Sequence, residues 1–71
     1  MSAKEMFEEL GYEEDYHIAY IKYYNEKKDK YIWFHKDTKT IEIMFDISMP
    51  LLKTINKQIE ELGWLENDNK E

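Results

Sequence analysis

The sequence predicts an α+β fold, a two-layer sandwich of order α-β-β-β-α in which both helices cover one face of a three-stranded antiparallel meander. Three observations lead to this prediction. Apolar residues recur at helical spacing near both ends of the chain, and three runs rich in isoleucine and aromatic residues lie between them. The polar segments that join these runs are short enough for hairpins. A chain of 71 residues has room for one core, so we expect one domain over residues 1–65 and a frayed polar tail over 66–71.

The first helix is predicted over residues 3–10. Ser2 and Glu5 have the spacing of a capping box, in which the hydroxyl accepts an amide proton at the helix start. Gly11 can adopt the left-handed conformation that ends a helix, and Tyr12 can then fold back on Phe7.

The second helix is predicted over residues 49–62. Ser48 is the expected N-cap, and Pro50 falls in the first turn, where its missing N–H costs nothing. Gly63 is expected to end the helix, with Trp64 packed near Ile59. The apolar stripe of this helix comprises Leu51, Leu52, Ile55, Ile59 and Leu62.

Three strands are predicted, at Tyr16–Tyr24, Lys30–His35 and Thr40–Asp46. The third strand alternates clearly between apolar and polar residues, which identifies its inward face. The first two strands are apolar on both faces, and the register of the first stays open. We assign to the core Ile18, Tyr20, Ile32, Phe34, Ile41, Ile43 and Phe45. The opposite face of the sheet then carries Ala19, Ile21, Tyr23, Tyr31, Trp33 and His35.

The composition argues against several classes of function. The chain has no Cys, which excludes disulfides and thiolate chemistry and fits a reducing compartment, so we expect a cytoplasmic protein. We find neither a membrane-spanning apolar run nor the apolar region of a signal peptide. The two histidines, His17 and His35, fit neither a zinc site nor a catalytic triad, and Gly11 and Gly63 serve as helix ends rather than in a phosphate loop. We therefore expect no enzymatic activity, no metal and no cofactor.

Charge is segregated along the chain. Ten lysines and 16 acids give a formal charge of −6, which opposes binding to nucleic acid and to anionic lipid at long range. Residues 1–16 hold one lysine and six acids, residues 17–40 hold six lysines and three acids, and residues 41–71 hold three lysines and seven acids. Such segregation can steer the encounter with a partner of opposite pattern.

Two surface features point to a binding partner. The sheet face away from the helices leaves aromatic side chains uncovered, which is typical of a binding site, although cross-strand pairing that stiffens the sheet is an equal alternative. Acids in the loop after the first helix and at the end of the second form the other feature, either as a solvated surface or as a mimic of nucleic acid. The predicted partner-binding residues are Tyr23, Tyr31, Trp33, His35, Glu13, Glu14, Asp15, Glu60 and Glu61.

The segments Ala3–Tyr12 and Leu51–Trp64 resemble short uncharacterised proteins of phages, prophages and mobile elements of low-GC Gram-positive bacteria. The preference of the chain for residues with AT-rich codons agrees with that origin. The resemblance supplies no catalytic residue, cofactor or substrate. Small acidic phage proteins are often inhibitors or adaptors of host machinery, including anti-defence proteins, and the resemblance implies a role of this kind.

We therefore expect a non-enzymatic interaction protein that binds a host or phage protein. The alternative is a single-stranded nucleic-acid-binding module in which Tyr31 and Trp33, with Tyr23 as a further candidate, stack on bases. Its phosphate contacts would come from Lys22, Lys27, Lys28, Lys30, Lys36 and Lys39. We also expect either a weak homodimer joined through the aromatic sheet face or a monomer that needs its partner.

Overall fold

The computed structural model describes residues 1–65, which form two helices and four antiparallel strands. The elements are α1 (Ala3–Glu9), β1 (Glu13–Tyr16), β2 (Tyr20–Asn25), β3 (Lys30–His35), β4 (Thr40–Ile43) and α2 (Met49–Leu62). The strands form one meander in the order β1-β2-β3-β4. The predicted α+β class is confirmed, with four strands in place of three. The predicted tail at 66–71 lies outside the described residues. Neither described helix is long and apolar enough to span a bilayer.

Both ends of α1 follow the predicted signals. The Ser2 hydroxyl accepts the Glu5 amide, and the Ser2 amide donates to the Glu5 carboxylate at 2.9 Å, which lowers the pKa of Glu5. After the helix, Gly11 has a φ of +95°, and the Tyr12 amide donates to the carbonyl of Phe7 at 3.0 Å. The rings of Tyr12 and Phe7 then meet edge to face, with centroids 5.8 Å apart. The predicted return of Tyr12 onto the helix is confirmed.

The predicted ends of α2 are confirmed as well. The Ser48 hydroxyl accepts the amide of Leu51 at 3.3 Å. Gly63 has a φ of +73°, and the amide of Trp64 donates to the carbonyl of Ile59 at 3.3 Å.

The prediction of a single strand over Tyr16–Tyr24 is wrong. The chain reverses at residues 17–19, where the His17 amide donates to the Tyr20 carbonyl at 2.8 Å, and β1 pairs with β2 across this turn. Ile18, assigned to the core from the sequence, lies in the turn and is 93% exposed. Residues 13–15, expected in a loop, form most of β1. The turn contains neither Gly nor Pro, so the local sequence does not mark it.

The split changes which residues of β2 face the helices. Ile21 and Tyr23 point into the core, at 3% and 1% exposure, and Tyr20 points to the other side. The sequence pattern predicts Tyr20 in the core and Ile21 and Tyr23 outside it, and this prediction is wrong. A one-residue change of register moves every side chain of a strand to the opposite face of the sheet. Ala19 is in the exposed turn.

The core lies between the sheet and both helices. The ring of Phe7 in α1 stacks on Tyr23 with centroids 3.8 Å apart, and Phe34 meets both rings edge-on at 6.2 and 6.1 Å. From α2, the Gln58 side chain reaches the hydroxyl of Tyr23. The buried apolar side chains are Ala3, Phe7, Tyr12, Ile21, Tyr23, Ile32, Phe34, Leu51 and Ile55. Ile41, Ile43 and Phe45 pack against this core as predicted, but are only partly buried.

Candidate interaction surface

The face of the sheet turned away from both helices, here called the outer face, is the candidate functional site. The register aligns Asp15, Lys22, Trp33 and Glu42 in one row across all four strands. Because directly paired residues point to the same side, this row and its neighbours two residues along define the surface. The other members of the outer face are Glu13, Tyr20, Tyr24, Tyr31, His35 and Thr40.

Trp33 is the centre of an aromatic cluster on this face, formed with Tyr20, Tyr31 and His35. Tyr20 and Tyr31 meet the indole edge-on at 5.3 and 6.0 Å, and His35 stacks on it at 5.2 Å. The ammonium of Lys22 lies 5.1 Å from the Trp33 ring centroid and 5.2 Å from that of Tyr31. Distances of this kind are typical of cation–π contacts, so the cluster already holds one cation.

The indole N–H of Trp33 is buried and has no hydrogen-bond partner among residues 1–65. A buried donor normally finds an acceptor, and leaving one unmade costs about 1–3 kcal/mol.

Carboxylates surround the aromatic cluster. One carboxylate oxygen of Glu42 lies 3.2 Å from His35 Nε2, and the other accepts a hydrogen bond from the Tyr31 hydroxyl at 3.4 Å. The Tyr24 hydroxyl donates to Glu13 at 3.2 Å, and this bond and the charge of Glu13 raise the pKa of Tyr24. With Asp15, the outer face holds three carboxylates against the single ammonium of Lys22, a formal charge of −3 + 1 = −2. It is an aromatic surface with a negative rim.

The structure divides the predicted acidic residues between two sides of the molecule. Glu13 and Asp15 join Tyr31, Trp33 and His35 on the outer face. Glu14 instead points to the inner side, where its carboxylate lies 3.1 Å from the Tyr23 hydroxyl. On α2, the carboxylate of Glu61 accepts the amide of Ala3 at 2.8 Å, and Glu60 lies 4.0 Å from the ammonium of Lys57.

Among the predicted aromatic site residues, Tyr23 is the one that the structure places in the core. Its hydroxyl donates to Gln58 at 2.6 Å and approaches Glu14 within hydrogen-bonding distance, below the sheet. Burial, together with the negative charges of Glu14, Glu61 and Glu8, raises the pKa of Tyr23 well above its ordinary value. A surface contact through this side chain would require the core to open.

Sequence reasoning did not name four members of the outer face as binding residues, and it named Lys22 only as a phosphate contact. The four are Tyr20, Tyr24, Thr40 and Glu42. The period-two pattern that places them there is present in the sequence. It was not used in β2, because the predicted strand ran from Tyr16 through the turn, and Tyr20 and Tyr24 on one face are as aromatic as Tyr23 on the other.

An open cleft of about 420 Å³ lies between the end of α1 and the β2–β3 turn. Asn25 is buried beside it and accepts the amide of Lys28 at 3.2 Å. Its walls carry the acids Glu9, Glu13 and Glu26 and the lysines Lys27 and Lys28. Within residues 1–65, no group of three His, Asp or Glu residues is placed to hold a metal ion.

The fold and the outer face define a small α+β domain with an aromatic, acid-rimmed sheet surface. Comparisons with protein-family models, curated proteins and solved structures found no significant match. The chemistry of the outer face is therefore the basis for a functional assignment.

Proposed function

We propose that this protein is a non-enzymatic interaction protein that binds a basic segment of a protein partner on its outer face. The supporting observation is the combination of aromatic rings and a formal charge of −2 on one surface. Aromatic faces attract guanidinium and ammonium groups, and carboxylates pair with the same groups through charge-assisted hydrogen bonds. In a bacterial host, the role would be that of an inhibitor or adaptor of phage or mobile-element origin, as the resemblance of the chain ends implies.

Lys22 indicates how a partner cation would bind. Its ammonium lies about equally far from the rings of Tyr31 and Trp33, over the aromatic cluster. An arginine of the partner would lie beside Lys22 or displace it, since a planar guanidinium can stack on an aromatic ring and pair with a carboxylate at the same time. The row that contains Lys22 ends in two carboxylates, Asp15 and Glu42, which are the pairing groups for such a guanidinium.

Single-stranded nucleic acid is the second candidate, because the same rings could stack on bases. Three of the lysines expected to contact phosphate lie over rings instead. The ammonium of Lys36 is 3.9 Å from the Tyr16 centroid, that of Lys30 is 4.9 Å from the Phe45 centroid, and Lys22 covers the cluster. The negative rim further favours a basic partner over a phosphate backbone.

Fluorescence of Trp33 tests the two candidates directly. The chain has two tryptophans, so a Trp64→Phe background leaves Trp33 as the only reporter. We expect a short arginine-rich peptide to change its emission, with an affinity that falls as salt rises, and a thymidine oligonucleotide to leave it unchanged. The reverse outcome would replace the proposal with nucleic-acid binding, and no response to the peptide would refute it.

Matched charge variants locate the contact. Glu42→Gln should weaken peptide binding by about two- to fivefold, because one exposed charge pair is lost. Glu60→Gln removes the same charge from α2, away from the outer face, and should have no effect. Equal effects of the two variants would mean that only overall charge matters, against a site on the outer face.

The physiological partner can be sought with variants on and away from the outer face. A pull-down from a Gram-positive host lysate should recover a stoichiometric protein with the wild-type chain and with Glu60→Gln, and lose it with Trp33→Lys. A partner that Trp33→Lys retains would contradict binding at this face.

A further inference from the structure

The two edge strands of the sheet differ in how well they resist pairing with another strand. β1 carries three consecutive acids, Glu13, Glu14 and Asp15, whereas β4 has a single charged residue, Glu42. Charge on an edge strand is a common means of blocking edge-to-edge association. β1 is therefore protected, and β4 depends on Glu42 alone.

Glu42 is drawn away from the open side of β4. Both of its carboxylate oxygens point back toward β3, one to Tyr31 and the other to His35. The acids of β1 are bonded in the same way, to side chains of Tyr24, Tyr23 and His17, so the two edges differ in the number of charges, three against one.

The core is also least covered on the β4 side. Ile41 and Ile43 are only partly buried, whereas Ile32 and Phe34 of β3 have no exposed surface. Beyond the strand, Met44 and Met49 are 78% and 65% exposed. Residues 39–54 contain two lysines and two acids, a formal charge of zero in a chain of −6. A second copy meets no net repulsion at this flank, which favours self-association there over recruitment of a charged partner.

We infer that two copies of this protein associate by antiparallel pairing of their β4 strands, which joins the two sheets into one of eight strands. A two-fold axis perpendicular to the sheet keeps all four helices on one side and pairs residues that face the same way. With the axis at Glu42, Ile41 meets Ile43 of the second copy, and Thr40 meets Met44. With the axis at Ile41, Lys39 would enter the paired strand, but its φ of +56° is incompatible with extended backbone.

This arrangement differs from the homodimer expected from the sequence, which used the outer face. It leaves both outer faces free and places them side by side. The two copies of Glu42 lie opposite each other, so the association is weak, as like charges directly across a strand pair are unfavourable.

Sedimentation over about a hundredfold range of concentration, with the whole chain, tests the inference. We expect a monomer–dimer equilibrium that Met44→Lys weakens by about tenfold, because the two-fold axis repeats the change in both copies. Ile18→Lys is the matched control: it also replaces an exposed apolar residue, at 93% exposure, but beside β1, and should leave the equilibrium unchanged. Glu42→Gln should strengthen the dimer by removing the central like-charge pair.

Hydrogen exchange adds a direct readout of strand pairing. Amides of β4 should gain protection as the concentration rises, and those of β1 should not. A chain that stays monomeric throughout would overturn the inference. A dimer that survives Met44→Lys and is lost in Trp33→Lys would also overturn it, since the contact would then be the outer face.

Discussion

The most informative perturbation of the fold is Tyr23→Phe, which removes one hydroxyl from the interface between the sheet and α2. That hydroxyl is buried, donates to Gln58 at 2.6 Å and lies 3.1 Å from Glu14. The stacking of the ring on Phe7 would remain, so the substitution isolates the polar contact.

The expected loss of stability comes from the buried acceptor that Tyr23→Phe leaves without its donor. Gln58 is 4% exposed, so the carbonyl oxygen of its side chain would be left buried without this donor. An unsatisfied buried polar group costs about 1–3 kcal/mol. For a domain of this size, each kcal/mol lowers the melting temperature by about 4–8 °C.

Urea unfolding followed by far-UV circular dichroism measures this loss. Tyr24→Phe is the matched control, because the neighbouring hydroxyl lies on the outer face and donates to an exposed carboxylate, Glu13, at 3.2 Å. Tyr24→Phe should change the free energy of unfolding far less. Equal losses in the two variants would refute the assignment of Tyr23 to a buried polar contact.

Tyr23 should also make the stability depend on pH. Burial and the neighbouring carboxylates raise its pKa in the folded chain, whereas in the unfolded chain it ionises near pH 10. The contribution of Tyr23 is therefore complete below about pH 10 and is lost as the pH rises above it, by about 1.4 kcal/mol per unit. Tyr23→Phe should flatten the alkaline fall in stability, and an unchanged slope would contradict the shift.

Three further substitutions test the ends of the helices by urea unfolding. Gly11→Ala should cost about 1–2 kcal/mol, because φ is +95° and the new Cβ would lie 3.1 Å from Asn25 Nδ2; an unchanged stability would contradict that strain. Ser48→Ala should cost about 1 kcal/mol through loss of the N-cap, and no loss would mean that water replaces the hydroxyl. Glu61→Gln should cost about 0.3–1 kcal/mol at low salt, since its charge lies at the N-terminus of α1 on the amide of Ala3, and an equal loss at high salt would exclude this electrostatic origin.

Local signals in the sequence determined both helices. A capping box, an N-cap serine and a glycine at positive φ act within a few residues, so Ser2, Ser48 and Gly63 have the same role in the structure as in the pattern. The inward face of β3 was also correctly predicted, and with it Tyr31, Trp33 and His35 on the outer face. One neighbouring strand, predicted over residues 40–46, has a clear period of two that indicates its inward face.

Only the tertiary structure decided the path of the chain between Glu13 and Asn25. The turn at residues 17–19 has no glycine or proline, and it is held by the pairing of β1 with β2 rather than by a local preference. Tyr20 and Tyr23 are alike in hydrophobicity, yet one lies in the aromatic cluster and the other beneath the sheet against Phe7. Hydrophobic patterning assigns a residue to one face only when the two faces of a strand differ, and in β2 the packing of the helices makes that choice.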